Sequence, residues 1–140
     1  MAAVILGRPV VPGEATGKTL VTDQPLSFWG GYDAEDGRII DHRHPLHGAN
    51  AKGRVLVLPG SRGSSTTSAV LLEAVRNHTA PAAIITCEPD SFIALTAIVA
   101  GELYDRILPV VAVAQVAFSS IPDGTNVSIA RDGTITLHIE

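Results

Sequence analysis

Apolar positions along the chain fall into three patterns. The first is a set of short β-branched runs, AVIL (3–6), RPVV (8–11) and KTLVT (18–22), cut by turn signals at Gly7, Pro12-Gly13 and Gly17. SFWGGYDAEDGRIID (27–41) continues in this style, with Asp36-Gly37 marking a tight turn before a strand over 38–41. HRHPLHGANAKG (42–53) reads as loop. The second pattern begins at RVLVL (54–58), a continuous apolar run of the kind found in a strand covered on both faces. A helix is expected over 64–77, where Val70, Leu71, Ala74 and Val75 recur at helical spacing. PAAIIT (81–86) reads as a second buried strand. A second helix follows over 90–104, with Asp90 or Ser91 as its N-cap, and then a third strand over 107–113. The third pattern is alternation on both sides of Arg131-Asp132-Gly133 (126–140), which predicts a hairpin.

β-rich ends therefore flank a strand–helix–strand–helix–strand centre. The centre implies a small parallel sheet with right-handed crossovers, and the ends imply a β-layer beside it. No internal repeat, low-complexity run or long linker interrupts the 140 residues. The expectation is one α/β domain over 1–140.

Composition narrows this picture. Hydrophobic residues make up 46% of the chain but aromatics only 4%, so Val, Ile, Leu and Ala must build the core. A net charge of −4 argues against nucleic acid or an anionic membrane as partner. No apolar run approaches the roughly 18 residues of a membrane span. The opening MAAVILGRPVVPGEA has no basic region before its apolar patch, so it reads as a first strand rather than a signal peptide. The single cysteine, Cys87, leaves no internal disulfide and suits the cytoplasm. It also excludes a cluster or zinc site built from several cysteines of this chain.

Four segments invite a chemical reading that other features outweigh. GEATGKT (13–19) resembles a phosphate-binding loop, but Gly13 and Gly17 enclose three residues where that motif needs four, and a strand follows instead of a helix. His42, His44 and His47 are close enough to bind a metal, yet Pro45 sits among them and no regular element directs them; a solvated or partner-facing loop fits better. Trp29, beside Gly30 and Gly31, is either core or interface. Cys87 reads as a small core residue, because no histidine stands near it in sequence to activate it.

LPGSRGSSTTSAVLLEAV (58–75) carries the strongest signal. It lies between the carboxyl end of a buried strand and the start of a helix, the usual ligand position in α/β sheets. Free N–H groups and the helix dipole favour an anion there. Gly60 and Gly63 allow close backbone approach, and Arg62 offers a donor fork suited to carboxylate or phosphate. N-capping explains one hydroxyl but leaves Arg62 and the rest of the row from Ser64 to Ser68 unexplained. A serine hydroxyl needs activation by a base or by electrostatics. No base is visible nearby, which points to groups supplied by a partner.

PLSFWGGYDAEDGRIIDHRHPLHG, LPGSRGSSTTSAVLLEAV, APAAIIT and LPVVAV together resemble the small-subunit, or swivel, domain of the aconitase X family over nearly the whole chain. The resemblance implies a swivelling β/β/α domain that closes over a larger catalytic subunit holding an iron–sulfur cluster. Members are dehydratases of cis-3-hydroxy-L-proline or of mevalonate 5-phosphate, and the present motifs look closer to the former. In the wider aconitase superfamily the first serine of a Gly-Ser-Ser-Arg motif is the catalytic base. On this chain that role falls on Ser64, with Gly63, Ser65 and Thr66 beside it as substrate contacts and Arg62 helping to hold the substrate anion. Thr66 stands where aconitase has arginine, and Arg62 lies on the other side of the serines. The implied partner is a large subunit carrying the cluster, whose iron acts on the leaving hydroxyl, and the apolar pair Phe28 and Trp29 is the expected contact with it. The rival class is a non-catalytic swivel or phosphotransfer module that uses His42, His44 or His47.

Overall fold

A computed structural model describes residues 2–62 and 66–139, with the backbone alone for Ala2, Thr66 and Thr67. Among the described residues there are eight strands: β1 (Ala2–Leu6), β2 (Arg8–Val11), β3 (Ala15–Val21), β4 (Val55–Leu58), β5 (Ala83–Thr86), β6 (Val110–Ala112), β7 (Asn126–Ile129) and β8 (Thr134–His138). The helices are α1 (Thr66–Arg76), α2 (Ser91–Tyr104) and α3 (Gln115–Ser120). The strands form one sheet in the order β1-β8-β7-β3-β4-β5-β6-β2. The pairs β3–β4, β4–β5 and β5–β6 are parallel and all the others antiparallel.

The two edges of this sheet, β1 and β2, are joined by Gly7 alone, so the sheet must curl until its edges meet. At the seam the Gly7 N–H donates to the Gly133 carbonyl at 3.0 Å. A Cβ on Gly7 would run into the Val111 side chain and lie 2.8 Å from the Gly133 oxygen. Gly133 has φ +90° and abuts the Gly7 backbone in turn. Only residues without a side chain fit this crossing.

Curling places the antiparallel part of the sheet over the parallel part, which gives the β/β/α order of layers. Alternation along β4 divides the core in two. Val55 and Val57 point into the curl, where they join Val127, Ile129, Ile135, Leu137 and Phe118. Leu56 and Leu58 point the other way, against Leu71 and Ala74 of α1 and Ile93, Ala97 and Ala100 of α2. All four are fully buried, which is why RVLVL has no polar position after its arginine. Each such side chain contributes about 1.5–3 kcal/mol by leaving water.

The structure departs from the sequence expectation in three places. α3 has no counterpart there: it is only 6 residues long, lacks a side-chain cap bond and buries Phe118 alone, so it has too little periodicity to register. The strand expected at 38–41 is reduced to single bridges, Tyr32–Ile39 and Arg38–Asn50. Successive residues there pair with different neighbours, so no ladder extends. Of the helix expected over 64–77, α1 is described as Thr66–Arg76; Ser64 and Ser65 lie outside the described residues. GEATGKT opens no helix, as expected, but the turn break expected at Gly17 is absent: β3 (Ala15–Val21) runs through it, with Gly17 paired to Val127.

Candidate active site

The turn that follows β4 is clamped from two sides. On one side Leu26, itself buried, forms a parallel bridge with Ser61. Its N–H donates to the Gly60 carbonyl at 3.3 Å, and its carbonyl accepts from the Arg62 N–H at 2.9 Å. On the other side stands Asp90, the N-cap of α2. One of its oxygens accepts from the Phe92 and Ile93 N–H groups, both at 3.0 Å. The other accepts from the Ser61 N–H at 2.7 Å and the Ser61 hydroxyl at 2.8 Å. Capping by aspartate is legible in the sequence. The second role of Asp90, tying the start of α2 to the turn after β4, is not, because it links residues 29 positions apart.

Clamped in this way, the turn presents Arg62 to solvent while its backbone is fixed. Arg62 borders a cavity of about 360 Å³, shared with Gln24, Ser27, Asp41, Arg43 and His44. This volume lies at the lower end of the range for ligand sites. Gly63, Ser64 and Ser65 lie outside the described residues, as does the side chain of Thr66, whose backbone begins α1.

The long connection from β3 to β4 supplies the far wall. Its Gly-Gly-Tyr-Asp segment is held by specific bonds. The Gly31 carbonyl accepts from the Ile40 N–H at 2.9 Å, and the Asp33 N–H donates to the Arg38 carbonyl at 2.8 Å. The Tyr32 hydroxyl donates to the Thr79 carbonyl at 2.7 Å, fastening the connection to the end of α1. Burial, and to a lesser degree the Asp36 carboxylate, pushes the Tyr32 phenol well above its usual pKa, so it stays a donor. His44 is 8% exposed, and its Nδ1 accepts from the Leu46 N–H at 3.0 Å. In the neutral ring this leaves the proton on Nε2, which is buried without a hydrogen-bond partner among the described residues. His42 and His47 lie ring to ring at 4.4 Å on the outside of the loop.

Residues 4–137 match the aconitase X swivel domain family. The chain belongs to that family. It is 47% identical over 114 residues to a cis-3-hydroxy-L-proline dehydratase of Pseudomonas aeruginosa, an overlap of 81% of this chain but only 20% of that protein. It is also 47% identical over 94 residues to a phosphomevalonate dehydratase small subunit of Methanothermobacter thermautotrophicus, covering 67% of this chain and 72% of that one. Aconitase X of Thermococcus kodakaraensis in its holo-form superposes with a TM-score of 0.87 at 32% identity, over 98% of this chain and 99% of that chain.

For an aconitase X swivel domain, a cofactor is best tested against the donors present. The Cys87 thiol donates to Gln115 Oε1 at 2.8 Å, and it is the only cysteine in the sequence. Among the described residues no group of three or more His, Cys, Asp or Glu is placed to hold a metal ion. Among the described residues these side chains do not fit a cluster site. The swivel domain also separates the pair Phe28 and Trp29. Phe28 is 0% exposed and packs against Tyr32, with ring centroids 5.5 Å apart, so it is core and not contact surface. Trp29 is 65% exposed. The turn that brings the Tyr32 N–H to the Phe28 carbonyl at 3.1 Å reverses the chain between them. Among the described residues no helix is long and apolar enough to cross a membrane.

Proposed function

We propose that this chain is a single swivel domain serving as the small subunit of a cytoplasmic, two-subunit aconitase X-type hydro-lyase, which converts cis-3-hydroxy-L-proline to Δ1-pyrroline-2-carboxylate. The observation that carries the reading is the doubly clamped turn after β4. It sets Arg62 on a cleft immediately before the Gly63-Ser64-Ser65 segment, at the carboxyl edge of the parallel strands. A reacting group two residues from such an anchor gains in positional precision.

In this reading Arg62 binds the substrate carboxylate, helped by Gly63, Ser65 and Thr66. Ser64, as alkoxide or through a relay, takes the proton on the carbon bearing that carboxylate. The electrons of the broken C–H bond form a carbon–carbon double bond as the neighbouring C–O bond breaks and hydroxide departs; the proton taken by Ser64 and this hydroxide together make up the water lost. The enamine so formed tautomerises to the cyclic imine. Burial of the carboxylate against Arg62 lowers the cost of negative charge at the adjacent carbon. A large subunit completes the site and holds whatever cluster the assembly contains; no step here is assigned to that cluster. Exposed Trp29 is the proposed contact with the large subunit.

Mevalonate 5-phosphate is the second reading, favoured by the small-subunit relative of which this chain covers 72%. Co-expression with the large subunit followed by assay of both substrates decides. Dehydration of cis-3-hydroxy-L-proline is expected; turnover of mevalonate 5-phosphate alone would replace the substrate, and turnover of neither would remove the activity.

A further inference from the structure

The cleft beside Arg62 holds charges of both signs that do not pair with each other. Asp41, Arg43 and Arg62 border the same cavity of about 360 Å³. Among the described residues the one ion pair is Arg76 with Glu73, and neither of them lines this cavity. The Asp41 carboxylate plays one structural role, in which its Oδ1 accepts from the Arg43 N–H at 2.9 Å and holds the turn. No hydrogen bond among the described residues engages its Oδ2 or either guanidinium group. Opposite charges left apart around one cavity complement a ligand that carries both signs.

We propose that this cleft reads the zwitterionic head of a cyclic amino acid: Arg62 and Arg43 take its carboxylate, and Asp41 takes its ring ammonium. The proposal rests on the dehydratase reading above and extends it by assigning substrate choice to Asp41. Bidentate guanidinium pairing suits the carboxylate. A secondary ammonium offers two N–H donors, and Asp41 Oδ2 is an acceptor for one of them. An anion without a cationic centre gains nothing from Asp41 and is repelled by it. Asp41 is then a specificity-determining residue, and mevalonate 5-phosphate, which carries no ammonium, is disfavoured.

Two ligands separate these contributions. L-proline has the zwitterionic head but no 3-hydroxyl to lose, so it binds without turning over. (S)-Tetrahydrofuran-2-carboxylate keeps the ring and carboxylate but has oxygen in place of the ammonium. Calorimetry on the reconstituted two-subunit complex is expected to find L-proline binding about tenfold or more tighter than the oxygen analogue. Asp41→Asn, which retains the Oδ1 acceptor of the turn, should weaken L-proline to the level of the analogue, while the analogue, relieved of the carboxylate's repulsion, binds no more weakly than before. Arg62→Ala should weaken both. Equal affinity of the two ligands for the wild-type complex, equal loss of both in Asp41→Asn, or binding of neither would overturn the proposal. The readout needs no turnover. A complex that binds L-proline through Asp41 yet fails to dehydrate the hydroxylated substrate refutes the reaction and leaves the cleft standing. A complex that dehydrates it with Asp41 indifferent refutes the cleft alone.

Discussion

Two cavities flank the turn after β4, and they differ more in charge than in shape. The larger, about 620 Å³, opens on the α3 side between Pro59, Cys87, Gln115 and Phe118, and its charged lining is Asp23 and Glu88. The smaller, about 360 Å³, lies on the Arg62 side with two guanidinium groups and one carboxylate. Size alone would choose the first. A carboxylate substrate would choose the second, since two acidic groups and no cation repel it. Charge also sets Cys87 apart from Ser64, the proposed base. Cys87 sits beside acidic groups with its thiol engaged, whereas Ser64 follows closely on an arginine.

Substitutions on the two sides should behave differently. The largest effect is expected from Ser64→Ala. Loss of the general base should lower kcat by about a hundredfold or more while the subunits still co-purify; substantial remaining turnover in the reconstituted complex would remove the assignment. Next comes Arg62→Ala, which should lower kcat/KM by about ten- to a hundredfold through loss of a charged hydrogen bond, seen mainly in KM. Smaller again is Asp90→Ala, which removes the cap of α2 and the anchor of Ser61. It should cost about 0.5–2 kcal/mol in thermal or denaturant unfolding, together with a drop in kcat/KM that a cap lost elsewhere would not cause. The smallest is Cys87→Ser. On the acidic side of the turn, it should leave steady-state kinetics unchanged, and a large loss of activity would mean the wrong cavity has been favoured.

The core of this fold is legible in the sequence because each of its signals is local. RVLVL announces two covered faces through four apolar residues in a row, and Asp90 announces a helix start. The Arg131-Asp132-Gly133 turn lies between alternating strands, where β7 and β8 pair. The features that leave no such signal depend on distant residues. The seam at Gly7 and Gly133 exists only once the sheet has curled, so Gly7 alone reads as an ordinary break. The loop over 28–51 is held by single bridges and side-chain bonds, such as Tyr32 to Thr79, that leave no periodic trace. Around the site, Arg62 is legible from its place after a buried strand. Asp41 and Arg43 stand in plain view within IIDHRHP, but the histidines beside them carry the more obvious chemistry. Of those, His44 turns inward to brace its own loop, and His42 and His47 stack outside. The clamp from Leu26 has no sequence signature, because a lone leucine after a proline carries no sign of pairing with a turn far along the chain.

The central claim is that this domain is half of an active site. The direct measurement is an add-back titration, in which increasing amounts of this chain are mixed with its purified large subunit while formation of Δ1-pyrroline-2-carboxylate from cis-3-hydroxy-L-proline is followed. Neither component should turn over alone, and activity should rise with added chain to saturation. A large subunit that reaches the rate of the mixture without this chain would contradict the account.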